Sequence, residues 1–234
     1  MKSTILDKSK LVNSVFSKVY KKYDLMNDIM SLGIHRIWKK KLIDWMNPQI
    51  NQGLIDVASG TGDIAKLFSK KIRNLNTISC VEPNDEMFFA GKDNLKNFKN
   101  IIWYKAKAER LPFKNDTFDF YTISYGIRNV SDINEALKEA LRVLKPGGRF
   151  MCLEFSKVNN EMINFLYQNY SKAIPIVGKY IVGSSKPYDY LVKSINQFYS
   201  QKELADLMKK NGFSNIEYRN LSNGISAIHS GWKI

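Results

Sequence analysis

Between Leu54 and Phe155 short apolar runs alternate with amphipathic stretches, and the first run ends in a glycine-rich turn. Leu54–Val57 reads as a strand, followed by the turn Ala58–Asp63 and a helix to about Lys71. Thr77–Val81, Ile101–Lys105, Phe118–Ser124 and Phe150–Phe155 read as four more strands, with helices over 84–97 and Ile133–Leu144 between them. Lys145-Pro-Gly-Gly148 reads as the stop before the fifth strand. The alternation predicts an α/β fold, a doubly wound parallel sheet whose ligands sit at the carboxyl ends of the strands. Two last runs, Asn215–Leu221 and Gly224–His229, are split by Ser222-Asn223 and read as an antiparallel hairpin. A parallel sheet closed by a hairpin departs from the purely parallel dinucleotide-binding fold.

The flanks read as helical. Residues 4–22 carry Leu11, Val12, Val15, Phe16 and Val19 at helical spacing. His35–Met46 is a second helix with Ile34, Ile37, Trp38, Leu42 and Trp45 on its apolar side, ended by Asn47-Pro48. Residues 157–200 are aromatic, basic and broken by Pro175, Gly178, Gly183 and Pro187, which predicts helices and a long connection forming a cap. Ser200 caps a helix over Lys202–Lys210, with Glu203 at the capping-box position and Asn211-Gly212 as its end. A length of 234 residues suits one domain with appendages: a single unit over 1–234, with residues 1–50 as a substrate-side helical segment and 157–200 as the cap.

The net charge of +14 comes from 36 basic and 22 acidic residues, 29 of the bases being Lys spread along the chain. It fits compositional drift as well as a basic surface for lipid head groups or nucleic acid. Cys80 and Cys152 lie in apolar runs without a CxxC or CxxH neighbour, so neither a disulfide framework nor a metal site is expected, and a reducing compartment is. No run reaches the roughly 18 apolar residues of a membrane span, and the N-terminus has no secretory h-region. A cytoplasmic chain, or one resting on the inner membrane surface, is the expectation.

The turn Asp56-Val-Ala-Ser-Gly60-Thr61-Gly62-Asp63 lies between a strand and a helix, where glycines let backbone approach a nucleotide. Glu82 ends the next strand, where an acid can take both ribose hydroxyls. A lone GxG is shared with dinucleotide enzymes, but a pyrophosphate would be repelled by Asp56 and Asp63. A sulfonium cofactor bearing an ammonium group tolerates those carboxylates, so S-adenosylmethionine is the better fit. Lys107 and Ala108, after the third strand, would lie against the adenine, and Ser124 follows the fourth strand where the transferred group belongs.

Several strings together resemble the ubiquinone/menaquinone biosynthesis C-methyltransferases, the UbiE family. They are Lys22–Lys39 (KYDLMNDIMSLGIHRIWK), Asp56–Asp63, Ala108–Phe113 (AERLPF), Tyr125–Val130 (YGIRNV), Arg142–Gly148, Leu153–Ser156 and Gly224–Lys233. The resemblance implies a class I methyltransferase (Rossmann-like) fold with a seven-stranded sheet, S-adenosylmethionine as donor and a reduced polyprenyl benzoquinol or demethylmenaquinol as acceptor. It carries cofactor positions onto Thr61, Glu82, Ala108 and Ser124. Lys107 stands where the family usually has Asn, Ser59 where Gly is common, and Phe198-Tyr199 where a Pro is frequent. Asn can accept from an adenine amino group and Lys cannot.

Ring-carbon methylation needs an electron-rich ring, so the quinol and not the quinone is the expected substrate, helped by a base or a stabiliser of phenolate charge. Arg128 is the first candidate to stabilise that charge, with Asn129 orienting the ring oxygen and Tyr23 capping the pocket or relaying a proton. Each has a plainer reading, Arg128 as a salt bridge and Tyr23 as packing. His35 and Glu154 are further bases to weigh, and His229 reads as structural. The expected partners are the prenylated quinol and an anionic membrane, with no nucleic acid; a homodimer or a quinone-biosynthesis complex stays open. An RNA methyltransferase is disfavoured because no Asn/Asp-Pro-Pro-Tyr string follows the fourth strand. A nicotinamide oxidoreductase is disfavoured by the acidic turn, and a non-catalytic quinone-binding scaffold would follow if Lys107 disabled cofactor binding.

Overall fold

The computed structural model describes residues 33–72, 76–158 and 186–234, with Asp28, Ser31, Glu161, Met162 and Tyr170 besides. The helix expected over 4–22, the residue Tyr23 and most of the expected cap lie outside the described residues.

Five strands run parallel: β1 (Leu54–Val57), β2 (Ile78–Val81), β3 (Ile101–Tyr104), β4 (Phe118–Ser124) and β5 (Leu144–Phe155). Two more, β6 (Ser214–Leu221) and β7 (Ser226–Trp232), complete a seven-stranded sheet in the order β3-β2-β1-β4-β5-β7-β6. β7 is antiparallel to both its neighbours, β5 and β6. Every residue of β1 and β2 is buried, Asp56 and Ser79 included, as interior strands of a sheet covered on both faces should be.

The described helices are α1 (His35–Met46), α2 (Asp63–Ile72), α3 (Asp85–Asn94), α4 (Ile133–Val143), α5 (Lys186–Gln197) and α6 (Gln201–Lys210). Trp38 and Leu42 of α1, Phe68 of α2 and Tyr188 of α5 pack with Phe120, Leu153 and Phe155 on one face of the sheet. Leu137 and Ala140 of α4 and Leu204 and Met208 of α6 pack with Ile55, Ile123 and Phe150 on the other. Local caps set the helix starts: Asn84 accepts from Met87 N, Asp132 accepts from Asn134 N and Glu135 N, and Ser200 and Glu203 form the expected capping box. Among the described residues no helix is long and apolar enough to cross a membrane.

Three details differ from the sequence reading. The buried stripe of α1 is His35, Trp38, Lys39, Leu42, Ile43 and Met46, whereas Ile37 is 53% exposed. Two polar residues thus occupy core positions, which turns the helix away from its most apolar side. Lys145-Pro-Gly-Gly148 lies inside β5: Leu144 pairs with Phe118, Gly147 N donates to Lys233 O (2.8 Å) and Lys233 N to Gly148 O (3.0 Å). The carboxyl-terminal residues therefore draw this segment into the ladder. β7 starts beyond a 3₁₀ turn at Ser222–Gly224 and runs three residues past His229.

The far end of α1 is fastened to the sheet by Arg149. Its guanidinium lies between the rings of Trp45 and Trp232, 5.0 and 4.9 Å from their centres, and donates to Trp45 O (3.0 Å) and Ser230 Oγ (2.7 Å).

Candidate active site

From β1 the chain winds outward to β2 and β3 on one side, then returns to β4 and β5 on the other. The turns after β1 and β4 therefore diverge, and a crevice opens between them. It is lined by Asp56, the turn Ala58–Thr61, Asp63 and Ile64, by Ser124 and Tyr125 at the end of β4, and by Lys39 from α1. Gly62 has φ +87°, and a Cβ there would sit 2.4 Å from Leu95 Cδ1, so a side chain would strain the backbone and displace Leu95. Across the crevice mouth a Cβ on Gly126 would lie 2.6 Å from that of Ala58, so the two turns touch. Ala58 (φ 53°) and Tyr125 (φ 56°) hold left-handed backbone where each strand ends, a strain typical of functional turns.

Three carboxylates shape the electrostatics. Glu82 Oε2 accepts from Gly60 N (2.9 Å) and Oε1 from Asn84 N (3.0 Å), fixing the group at the end of β2. Burial pushes it up to about 7 against those two bonds, and each oxygen keeps a second lone pair for a ligand hydroxyl. Asp56 sits beside Thr122 in the β1–β4 register, and its Oδ1 accepts from Thr122 Oγ1 (2.8 Å). Its Oδ2 is buried with no hydrogen-bond partner among the described residues, and burial raises this carboxyl to about 7 as well. Burial also works to raise Asp63, but the Lys39 ammonium, 2.7 Å from Oδ2, outweighs it and holds the group below its usual value. Ser124 Oγ is a second buried polar atom without a partner among the described residues.

The loop after β3 is braced from α4. Glu139 Oε2 accepts from Leu111 N (2.8 Å), and Arg142 donates to Leu111 O (3.1 Å) and Phe113 O (2.8 Å). Glu109 Oε1 accepts from Ser131 N (2.8 Å), joining this loop to the segment before α4. Ala108 is buried in it and Lys107 is exposed. These groups fit a nucleoside carrying an ammonium: Glu82 for ribose hydroxyls, the partnerless Asp56 oxygen for the cation, and a glycine turn that keeps side chains out.

Beyond Tyr125 a short 3₁₀ turn, Ile127–Asn129, places Arg128 and Asn129. Arg128 Nη1 donates to Glu154 Oε1 (2.6 Å) and to Tyr125 O (2.7 Å), and both side chains of the pair are at most 2% exposed. Burial raises the Glu154 carboxyl despite the Arg128 charge beside it. Asn129 Oδ1 accepts from the hydroxyl of Tyr190 (2.9 Å), on α5, which leaves the amide NH₂ as a donor.

His35 is 1% exposed, and its Nε2 is 2.8 Å from Asp28 Oδ1. Burial and the Lys39 charge hold the imidazole below its ordinary value, so near neutral pH this is a hydrogen bond from Nε2–H and not an ion pair. Arg36 binds the same carboxylate (2.8 Å to Oδ2), which lowers Asp28 to about 2. His229 packs inside β7 with Nε2–H donated to Gln201 O (2.9 Å), and burial lowers it to about 4.

The structure brings Asp56, Gly60, Thr61 and Ser124 together around one crevice, with Gly62 in the same turn, Glu82 bonded to Gly60 N, and Ala108 and the exposed Lys107 on the loop after β3. Arg128 and Asn129 follow Tyr125 beside it, and Tyr23 lies outside the described residues. Sequence reasoning missed Lys39 and Tyr190. A lone cation on the buried stripe of α1 was the available signal for Lys39; Tyr190 had none, being 61 residues from its partner.

The model of the ubiE/COQ5 methyltransferase family matches residues 3–233. The ubiquinone/menaquinone biosynthesis C-methyltransferase UbiE of Rickettsia bellii is 50% identical over 97% of this chain and 94% of its own length. That of Rickettsia massiliae is 52% identical over 96% and 93%. Among solved structures, a SAM-dependent methyltransferase from Thermotoga maritima superposes with a TM-score of 0.68 at 24% identity, covering 94% of this chain and 99% of its own. Phosphoethanolamine N-methyltransferase 2 of Haemonchus contortus, in complex with S-adenosylhomocysteine, reaches 0.63 at 12% identity over 84% and 52%. With that fold, that crevice and that likeness, the chain belongs to the ubiE/COQ5 methyltransferase family and is an S-adenosylmethionine-dependent methyltransferase.

Proposed function

We propose that the acceptor is a ring carbon of a reduced, prenylated quinol, either 2-methoxy-6-polyprenyl-1,4-benzoquinol or demethylmenaquinol, in keeping with relatives named ubiquinone/menaquinone biosynthesis C-methyltransferases. The observation that carries this reading is the position of Asn129 and the Arg128–Glu154 pair immediately beyond the donor crevice, at the ends of β4 and β5. S-adenosylmethionine supplies an electrophilic methyl group on a sulfonium. Phenolic proton loss drives charge onto the ring carbon, the new carbon–carbon bond forms as the carbon–sulfur bond breaks, and the ring hydrogen then leaves as a proton.

The chain's residues organise that event. The NH₂ of Asn129, whose oxygen is held by Tyr190, donates to a ring oxygen and stabilises its developing charge. Arg128 is nearly inaccessible, so it acts through the turn: it neutralises Glu154, holds Tyr125 O and sets where Asn129 points. A prenyl tail is insoluble in water, so the enzyme meets it at a membrane surface, and the +14 net charge favours anionic lipid. Purified protein, S-adenosylmethionine and each demethyl-quinol in anionic or zwitterionic vesicles, kept reduced, test the reading by product mass spectrometry. One added CH₂ on the quinol, faster in anionic vesicles and absent with the oxidised quinone, is expected. Equal activity on the quinone, or none on either quinol, overturns it.

A further inference from the structure

Lys39 is the cation that the donor crevice contains; the resemblance string Lys22–Lys39 ends on it but gave it no role. It comes from the middle of α1, is 7% exposed, and reaches the first residue of α2. Its ammonium gives one N–H to Asp63 Oδ2 at 2.7 Å, and among the described residues no second acceptor takes the other two. Its charge acts on Asp63, on Asp56 and on His35, so it sits at the electrostatic centre of the amino-acid end of the crevice.

A buried lysine is costly unless something repays its desolvation. Asp63 repays only part, because that carboxylate is itself 38% exposed. The crevice otherwise carries Asp56, with Glu82 bonded to the turn at Gly60, suited to an ammonium and to hydroxyls but hostile to a carboxylate. Yet the methionine end of the donor is a zwitterion, with a carboxylate beside its ammonium. The amino end of α2, whose first N–H groups have no intrahelical acceptor, opens on the same crevice as Lys39.

We infer that Lys39 binds the α-carboxylate of the donor's methionine moiety, together with the amino end of α2, while Asp63 and Asp56 take its ammonium. The crevice thereby reads an amino-acid zwitterion and not merely an adenosyl cation. The inference rests on S-adenosylmethionine as the donor and names the residue that selects it. Because donor and demethylated product both keep the carboxylate, Lys39 holds ground state and product alike, so its loss raises KM more than it lowers kcat.

The test compares S-adenosylmethionine with its decarboxylated analogue by isothermal titration calorimetry, on wild type, Lys39→Met and Lys39→Arg. Wild type is expected to prefer the carboxylated donor by roughly tenfold or more, the size of one charge-assisted hydrogen bond. Lys39→Met should bring that ratio close to one while its affinity for the decarboxylated analogue stays within about threefold. Lys39→Arg should restore part of the preference. A wild type indifferent to the carboxylate overturns the inference without any variant, and so does a preference that persists in Lys39→Met. Binding of neither compound by wild type overturns the donor assignment itself.

Discussion

At the scale of single residues, the pair formed by Arg128 and Glu154 divides structural from chemical roles. Arg128→Ala would strand a buried carboxylate, a loss of about 3–5 kcal/mol before any catalytic effect. Donor affinity should nevertheless survive, because the crevice lining does not include Arg128. Turnover should fall by at least ~100-fold, since Asn129 loses its positioning. The double variant Arg128→Met/Glu154→Gln removes both charges, and urea denaturation should find most of the lost stability regained. Turnover should stay low in that variant; recovery to the wild-type rate would show that the pair serves folding alone. The same scale explains what sequence reading could reach. Glu82 follows a short, mostly apolar strand that comes after a glycine turn, two local signals that mark its role. Tyr190 sits on α5 with its contact to Asn129 set by tertiary packing, and nothing near it in the chain marks it.

At the scale of elements, α1 is the part that links the core to the site. It contributes Trp38 and Leu42 to the core, Lys39 to the crevice and Trp45 to the Arg149 stack, and Trp38 Nε1 also donates to Ser222 Oγ (3.2 Å). Arg149→Ala removes two cation–π contacts and two hydrogen bonds, so chemical denaturation should show a loss of about 2–4 kcal/mol. Its donor affinity should stay within about threefold, because Arg149 pairs with Phe120 near the start of β4, at the other end of the strands from the crevice. The elements themselves were legible where local chemistry decides them. β1, β2 and β4 are short, predominantly apolar runs, and the starts of α3, α4 and α6 rest on side-chain caps three residues or fewer away. Two features were not legible. The rotation of α1 depends on polar groups buried for the site, and the early start of β5 depends on Lys233, more than 80 residues on.

At the scale of the whole molecule, the buried acids make stability depend on pH. Asp56 and Glu82 titrate at about 7 in the folded chain and near 4 when unfolded. The fold therefore keeps protons that the unfolded chain releases, so this contribution is full below pH ~4 and is lost as pH rises through 7. His229 acts in the opposite sense: held at about 4, its contribution is present above ~6.5 and lost as pH falls toward 4. Between pH 6.5 and 8 the carboxylates dominate, and the donor-free protein should lose about 1–2 kcal/mol, a few degrees in Tm. Ionised Asp56 and Glu82 bind an ammonium and ribose hydroxyls best, so the Tm increase caused by donor should grow over that range; a donor effect that shrinks would contradict their assignment.

β7 lies between β5 and β6 in the sheet although it follows both of them in the chain. Until Ser226–Trp232 have been synthesised, β5 lacks its outer neighbour, β6 has nothing to pair with, and Arg149 has only one of its two tryptophans. A nascent chain can assemble the nucleoside half early, but the other half of the sheet waits for this one strand to emerge.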